Sequence, residues 1–332
     1  MQQKKMAKDA LTVQAFKEYV PIIINETRGL IKEWGIKTGQ IDLFHEMAEL
    51  TIRTASSCLL GKEIRSQLQS NGKPYYLNIS QYLIVLVAKL YQDLDGGLTP
   101  MNMFISWLPI PRYLKRDRAN KLMTETFKKI IDKRRDTNDM KNNDVLQTYM
   151  NSSYKDGTKM TDEEVAHMMI ALLMAGQHTS STTSTWSLFR LAQNPDVMEQ
   201  VRREQSEILT GNPDTPWNKL PDFDYDQLKK MTYLDFCMKE TLRLHPPIHT
   251  IMRKVVADMD FNGYTISEGN YLCAAPCVSQ LDSDKFPEPN KFDPKRHLNG
   301  EDLGEWNING VDVAQKSAKS HYLPFGAGLF LY

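Results

Sequence analysis

The chain has 332 residues, enough to bury a large core in one domain or two. Forty-one basic and forty-one acidic residues cancel, which leaves no electrostatic case for a nucleic-acid partner. Four cysteines (Cys58, Cys237, Cys273 and Cys277) show neither a disulfide framework nor a zinc spacing, and nothing reaches the roughly 18 apolar residues of a membrane span.

Residues 1–34 read as two helices, with Phe16, Tyr19, Val20, Ile23 and Ile24 at helical spacing. No apolar signal segment follows Met1-Gln2-Gln3-Lys4-Lys5. Lys4, Lys5 and Lys8 make a basic face that simple solvation would explain. A helix is expected over 41–60, capped by Gly61. Residues 66–90 hold a turn at Asn71-Gly72-Lys73-Pro74, then an uncharged, β-branched run around Ile84-Val85-Leu86-Val87 that nothing local requires. The apolar loop at 99–111 contains Pro100, Pro109 and Pro111, and either packs or faces a membrane or ligand entrance. A basic amphipathic helix over 112–135 and a short helix over 144–153 follow, with a loop to Met160.

The rest is arranged around 161–194. Thr161 and Glu164 form a capping box, and Asp162 and Glu163 suit the positive end of the helix dipole. The run from Val165 to Met174 is apolar nearly all round, as in a buried helix. It then meets Ala175-Gly176-Gln177-His178-Thr179-Ser180-Ser181-Thr182, a poor helix interior. Two readings stand side by side: a loop or bend with satisfied hydroxyls, or a widened groove beside a ligand with His178 and Thr179 supplying protons.

Beyond Pro195 the pattern gives an amphipathic helix over 197–210, a linker over 212–221 and a helix over 225–244 stopped by His245-Pro246-Pro247. Strands are expected over 255–273, turning at Asn262-Gly263 and Glu268-Gly269. Residues 282–296 read as extended, and Pro324-Phe325-Gly326-Ala327-Gly328 as a turn. Glu240 and Arg243 share a helix face, either as a surface ion pair or, given Phe236, Cys237, Leu242 and Leu244 around them, as a buried one needing further partners.

Ala175-Gly176-Gln177-His178-Thr179-Ser180 resembles the oxygen-binding segment of the central helix of cytochrome P-450 monooxygenases, and its Gln-His-Thr form is similar to that of the sterol 14-alpha demethylases. Glu240-Thr241-Leu242-Arg243 resembles the family's Glu-x-x-Arg, and Asp293-Pro294-Lys295-Arg296 stands where a second arginine completes a triad. Pro324-Phe325-Gly326-Ala327-Gly328 is similar to the family's haem-binding turn, and His249-Thr250-Ile251-Met252-Arg253 to its strand segment. The order of these motifs carries the resemblance.

The resemblance implies a mainly α fold with a small mixed β-sheet, a partial cytochrome P-450 domain over 1–332. It implies haem b as cofactor, with Lys4 and Arg253 on the propionates. Ala175, Gly176, Phe325 and Gly326 would line the haem. His178 and Thr179 would relay protons, and Met174, His249, Thr250 and Met252 would contact substrate. The implied reaction is oxidative removal of a sterol methyl group, with electrons from NADPH-cytochrome P-450 reductase at the endoplasmic reticulum membrane. Three departures from the family are expected to matter. The family's membrane helix does not precede Met1, and residues 69–87 have no counterpart, as translated intron or an alternative splice product would not. Leu329-Phe330-Leu331-Tyr332 replaces the expected Arg-x-x-Cys-x-Gly. That leaves no axial cysteine, hence no metal ligand, so an inactive chain or a non-catalytic sterol- or partner-binding remnant is expected.

Overall fold

Helices form in this chain where apolar residues recur at three- and four-residue intervals, because one face can then be buried. The computed structural model describes residues 6, 11–35, 39–59, 89–97, 108–137, 144–298 and 322–325. Lys4, Gly326 and the odd segment at 69–87 lie outside the described residues, as does most of the apolar loop. The chain divides into two compact units, Met1–Ser181 with Asp222–Tyr225, and Thr182–Pro221 with Asp226–Tyr332.

In the first unit, α1 (Val13–Trp34) opens on Thr12, whose Oγ1 accepts the Ala15 N–H at 3.2 Å. It closes on Gly35 at φ 63°, a conformation that favours glycine. Helix α2 (Leu43–Leu59) is joined to α1 by Arg53, which donates to both oxygens of Glu33 at 2.8 and 2.9 Å. Ser57 adds a hydrogen bond to Glu26 at 2.8 Å. Helix α3 (Pro111–Thr137) buries Ala119, Met123, Phe127 and Ile131, each one turn from the next. These meet Val145, Leu146 and Tyr149 of α4 (Val145–Asn151), and Val165, Met169, Ile170 and Leu173 of the next helix, in one apolar core.

Gly97 lets the preceding segment pass close to α3. A Cβ there would overlap the Arg116 side chain and come within 3.0 Å of the Arg112 carbonyl oxygen. Gly97→Ala is expected to cost about 1–3 kcal/mol. Urea unfolding would read this as a lower midpoint at unchanged slope, and an unchanged midpoint would refute it.

The capping box of α5 (Asp162–Gln193) forms as expected. The Glu164 N–H donates to Thr161 Oγ1 at 3.2 Å, and the Thr161 N–H donates back to Glu164 Oε2 at 2.8 Å. The loop reading of 175–186 does not hold: α5 runs through it unbroken. The hydroxyls turn back onto their own helix instead of competing with it. Thr179 donates to the Ala175 carbonyl at 2.8 Å, Ser181 to His178 at 3.2 Å and Ser187 to Thr183 at 2.8 Å.

In the second unit, α6 (Pro195–Thr210) starts on a proline and ends at Gly211, φ 73°. A single helix over 225–244 does not form. A turn at 229–230 and Met231 separate α7 (Tyr225–Leu228) from α8 (Thr232–Leu244). The restart is fixed from outside: Glu204 of α6 accepts the Tyr233 and Leu234 N–H groups at 2.6 and 3.0 Å. Met231, at the N-cap position, makes no side-chain cap bond and is buried. Val201, Tyr233, Cys237 and Phe292 form this unit's apolar core.

Strand β1 (Ile251–Lys254) begins four residues before the expected strand region and pairs antiparallel with β4 (Tyr271–Ala274). Strands β2 (Met259–Phe261) and β3 (Tyr264–Ile266) make the expected hairpin. Its turn needs positive φ at both central residues, and Asn262 (48°) and Gly263 (83°) supply it. Among the described residues the strand pairs are all antiparallel, a small β component beside a mainly helical chain, as expected of the fold class. After the short α9 (Pro276–Ser279), residues 282–293 run through turns, and Pro294–His297 is a 3-10 helix where an extended segment was expected. Asp293 caps it by accepting the Lys295 N–H at 3.0 Å. Among the described residues no helix is long and apolar enough to cross a membrane.

Candidate functional site

The sequence pair Glu240 and Arg243 lies on α8, three residues apart, and both side chains are fully buried. A buried charge is tolerable only when its partners are supplied in full. Here Arg243 donates through Nε to Glu240 Oε2 and through Nη2 to Oε1, both at 2.9 Å. Its remaining N–H groups reach the carbonyls of Gln280 and Pro289, each at 2.7 Å. Arg296 is brought to the same carboxylate, with Nε 2.9 Å from Oε1. Its other nitrogens point at the carbonyls of Pro287 and Lys291, at 3.1 and 3.4 Å. The Asp293 N–H adds a bond to Oε1 at 3.0 Å, and His297 Nε2 lies 2.9 Å from Oε2.

Five donors thus converge on one carboxylate. Burial alone would raise its pKa, but the hydrogen bonds from His297 and Arg243 and the Arg243 charge outweigh that and hold Glu240 at about 2. Glu240 is an anion at any working pH. No polar atom of Glu240 or Arg243 is left over for a ligand, so the arrangement ties α8 to the segment 280–297 and is not a reacting centre.

The surrounding bracket was not legible in the sequence. Gln280 is fully buried; its amide nitrogen donates to the Arg243 carbonyl at 2.9 Å and the Leu242 carbonyl at 3.2 Å, satisfying the open end of α8. Its Oε1 accepts the Leu323 N–H at 2.9 Å, and Tyr322 donates to the Lys239 carbonyl at 3.1 Å. The segment before the expected haem turn is thereby anchored to α8. His297 packs against Phe236 and Tyr322, and its Nδ1 is buried with no hydrogen-bond partner among the described residues. The adjacency of His297 to Arg296 was the available signal, since a 3-10 turn can aim both at one carboxylate.

The other expected site residues are placed as follows. In the first unit His178 lines a cavity of about 1170 Å³ together with Glu33, Phe44, Arg53 and Gln177, and its ring meets Phe44 edge-on at 6.3 Å. Gln177 is buried and donates to the Ala48 carbonyl at 2.6 Å. The Thr179 hydroxyl proton goes to the Ala175 carbonyl. Met174 is half-buried against the first core, Ala175 is exposed, and a Cβ on Gly176 would meet no atom within 4 Å. In the second unit His249 Nδ1 and Thr250 Oγ1 lie 2.6 Å apart, Met252 is exposed, and Arg253 on β1 is exposed with Nη1 2.9 Å from the Met252 carbonyl. Phe325 is half-buried. Among the described residues no cluster of three or more His, Cys, Asp or Glu side chains could hold a metal ion.

The family model described as Cytochrome P450 matches residues 1–329. The chain belongs to the cytochrome P450 family. Members are haem-dependent monooxygenases, and this P450 chain is 41% identical over 339 residues to "Lanosterol 14-alpha demethylase" of Cunninghamella elegans. That match covers 99% of the chain and 62% of the relative. The bovine (Bos taurus) protein of the same name is 42% identical over 99% of the chain and 58% of its own length. "Sterol 14-alpha demethylase CYP51A" of Gibberella zeae is 42% identical, over 99% of the chain and 61% of the relative. The P450 chain therefore spans about three fifths of the length of these curated relatives. Among solved structures, "Retinoic acid bound cyanobacterial CYP120A1" superposes with a TM-score of 0.75 at 23% identity, covering 99% of this chain and 65% of that one, which supports the fold alone.

Haem is the cofactor of this family. The bare helix surface at Ala175 and Gly176 fits a flat ligand, and the exposed Arg253 guanidinium is the kind of cation a propionate pairs with. Cys58 and Cys237 are both buried, and burial, with the negative charges of Glu204 and Glu240, pushes the Cys237 thiol up to about 12.

Proposed function

We propose that this P450 chain carries the scaffold of a sterol 14-alpha demethylase of sterol biosynthesis. The observation that carries the reading is the 41–42% identity to lanosterol and sterol 14-alpha demethylases along 99% of the chain. When bound, haem supplies oxygen activation and the redox chemistry. Ala175 and Gly176 would present a flat surface to it, Phe325 and Gly326 would contact it, and Lys4 and Arg253 would pair with its propionates. Thr179 would hold a proton at Oγ1, exchanging its present bond to the Ala175 carbonyl for one to the ligand. His178 would feed that proton from its ring. Met174, His249, Thr250 and Met252 would meet the sterol, and NADPH-cytochrome P-450 reductase at the endoplasmic reticulum membrane would supply electrons.

A second reading is a non-catalytic sterol- or partner-binding scaffold. It is favoured by the Glu240 cluster, which closes on protein atoms alone and so can hold α8 without cofactor. A carbon-monoxide difference spectrum of the haem-loaded, reduced chain separates the two. A thiolate-type Soret band supports the demethylase reading for this polypeptide. An imidazole-type band, or none, with sterol binding retained, transfers the case to the scaffold.

A further inference from the structure

Trp186 and Arg190 sit one turn apart on the C-terminal part of α5, and His245 is the residue that closes α8, its N–H donating to the Thr241 carbonyl at 2.8 Å. The imidazole of His245 lies flat on the Trp186 indole, with centroids 3.7 Å apart and planes within 6°. On its edge, Arg190 Nε and Nη2 both approach His245 Nε2, at 3.0 and 2.9 Å. A ring nitrogen that faces two guanidinium N–H groups is the lone-pair nitrogen, so the ring is neutral and carries its proton on Nδ1.

We propose that His245 is a positioning residue: a neutral imidazole held between Trp186 and Arg190 that fixes the point where the chain leaves α8, and with it the course of residues 246–254. The next two residues are Pro246 and Pro247, which have no N–H with which the backbone could pin itself. Their locked φ carries the direction set at His245 forward. The segment then passes His249 and Thr250 and enters β1, where Ile251 is opposite Ala274 and Arg253 opposite Leu272. A side-chain clamp at the start and a strand pairing at the end therefore define where these residues lie. Their value as sterol and propionate contacts rests on the demethylase reading, whereas the clamp itself does not.

The clamp is built for neutral pH. Burial, then the charges of Arg190 on α5 and Arg243 on α8, holds His245 down at about 4. Protonation would remove the acceptor and set an imidazolium against Arg190.

The test is hydrogen exchange of the whole chain at neutral pH, without haem, so a failure of the demethylase reading leaves it untouched. In His245→Ala, the amides of 248–254 are expected to exchange about tenfold faster or more, as expected for loss of a charge-assisted hydrogen bond. His245→Gln, which keeps an acceptor, should recover part of the protection. Unchanged protection of 248–254 in a folded His245→Ala protein would overturn the proposal. Should that variant not fold, the unmodified chain decides through tryptophan fluorescence against pH, with Trp186→Phe as blank. A Trp186 transition near 4 supports the clamp, and one near the ordinary histidine value of about 6.5 overturns it.

Discussion

Replacing Glu240 by alanine is expected to cost about 3–5 kcal/mol, because it leaves the Arg243 guanidinium buried without its carboxylate and strips Arg296 of its main partner. The damage should be confined to one unit, since every member of the cluster lies in Thr182–Pro221 or Asp226–Tyr332. Hydrogen exchange mapped on the variant should lose protection at 232–244 and 280–297 while α1 to α4 keep theirs. A loss below about 1 kcal/mol would place the pair with weak surface bridges. The same carboxylate gives an acid signature. Its folded pKa, about 2, lies below its ordinary value of 4.5, so its contribution is fully present above 4.5 and is lost as pH falls toward 2. That limb of the stability profile should flatten in Glu240→Ala.

Asp144→Ala is the second large expectation, in the other unit. Arg134 grips Asp144 with two parallel bonds at 2.8 and 2.6 Å, and both side chains are nearly inaccessible, at 1% and 9%. The same aspartate caps α4 by accepting the Gln147 N–H at 2.9 Å. Alanine removes cap and counter-charge together, so a loss of about 3–5 kcal/mol is expected from the pair, with about 1 kcal/mol more from the cap. The double variant Arg134→Met with Asp144→Ala separates the lost counter-charge from the lost cap. With no charge left to bury, it should unfold at higher urea than Asp144→Ala alone. Simple additivity of the two single losses would show that the pair is not coupled.

The chain makes plain which structural information is local. Helix α3 and the Asn262-Gly263 hairpin follow from periodicity and turn chemistry, and the capping box of α5 from two residue types at a fixed spacing. Glu240 and Arg243 could be paired from the same rule. The unbroken α5 could not be foreseen, because a hydroxyl that competes with a helix and one that turns back onto it belong to the same residue types. Arg134 with Asp144 reads as two surface charges until the fold buries both. Gln280 looks like a solvated amide, yet it closes the end of α8, a role set by a residue that lies 37 positions after the Arg243 carbonyl it serves. Of the expected ligand-facing residues, the structure describes side-chain placement for most, but their partners would be a cofactor and a sterol, which no periodicity encodes.

The borrowed cap of α8 has a consequence for which substitutions the chain can absorb. Most helices ask one residue at their start both to cap and to fit its surroundings. Here the tasks are separated: Glu204 caps from α6, and Met231 is left to pack. A serine or aspartate at 231, the usual improvement to a helix start, would gain little and would put a polar group where an apolar one is buried. Position 204, on the face of another helix, carries the constraint instead. Drift at the start of α8 is thus limited by volume and apolarity, and drift in α6 by charge, so a search for stabilising changes should treat the two positions as one functional helix start split across the sequence.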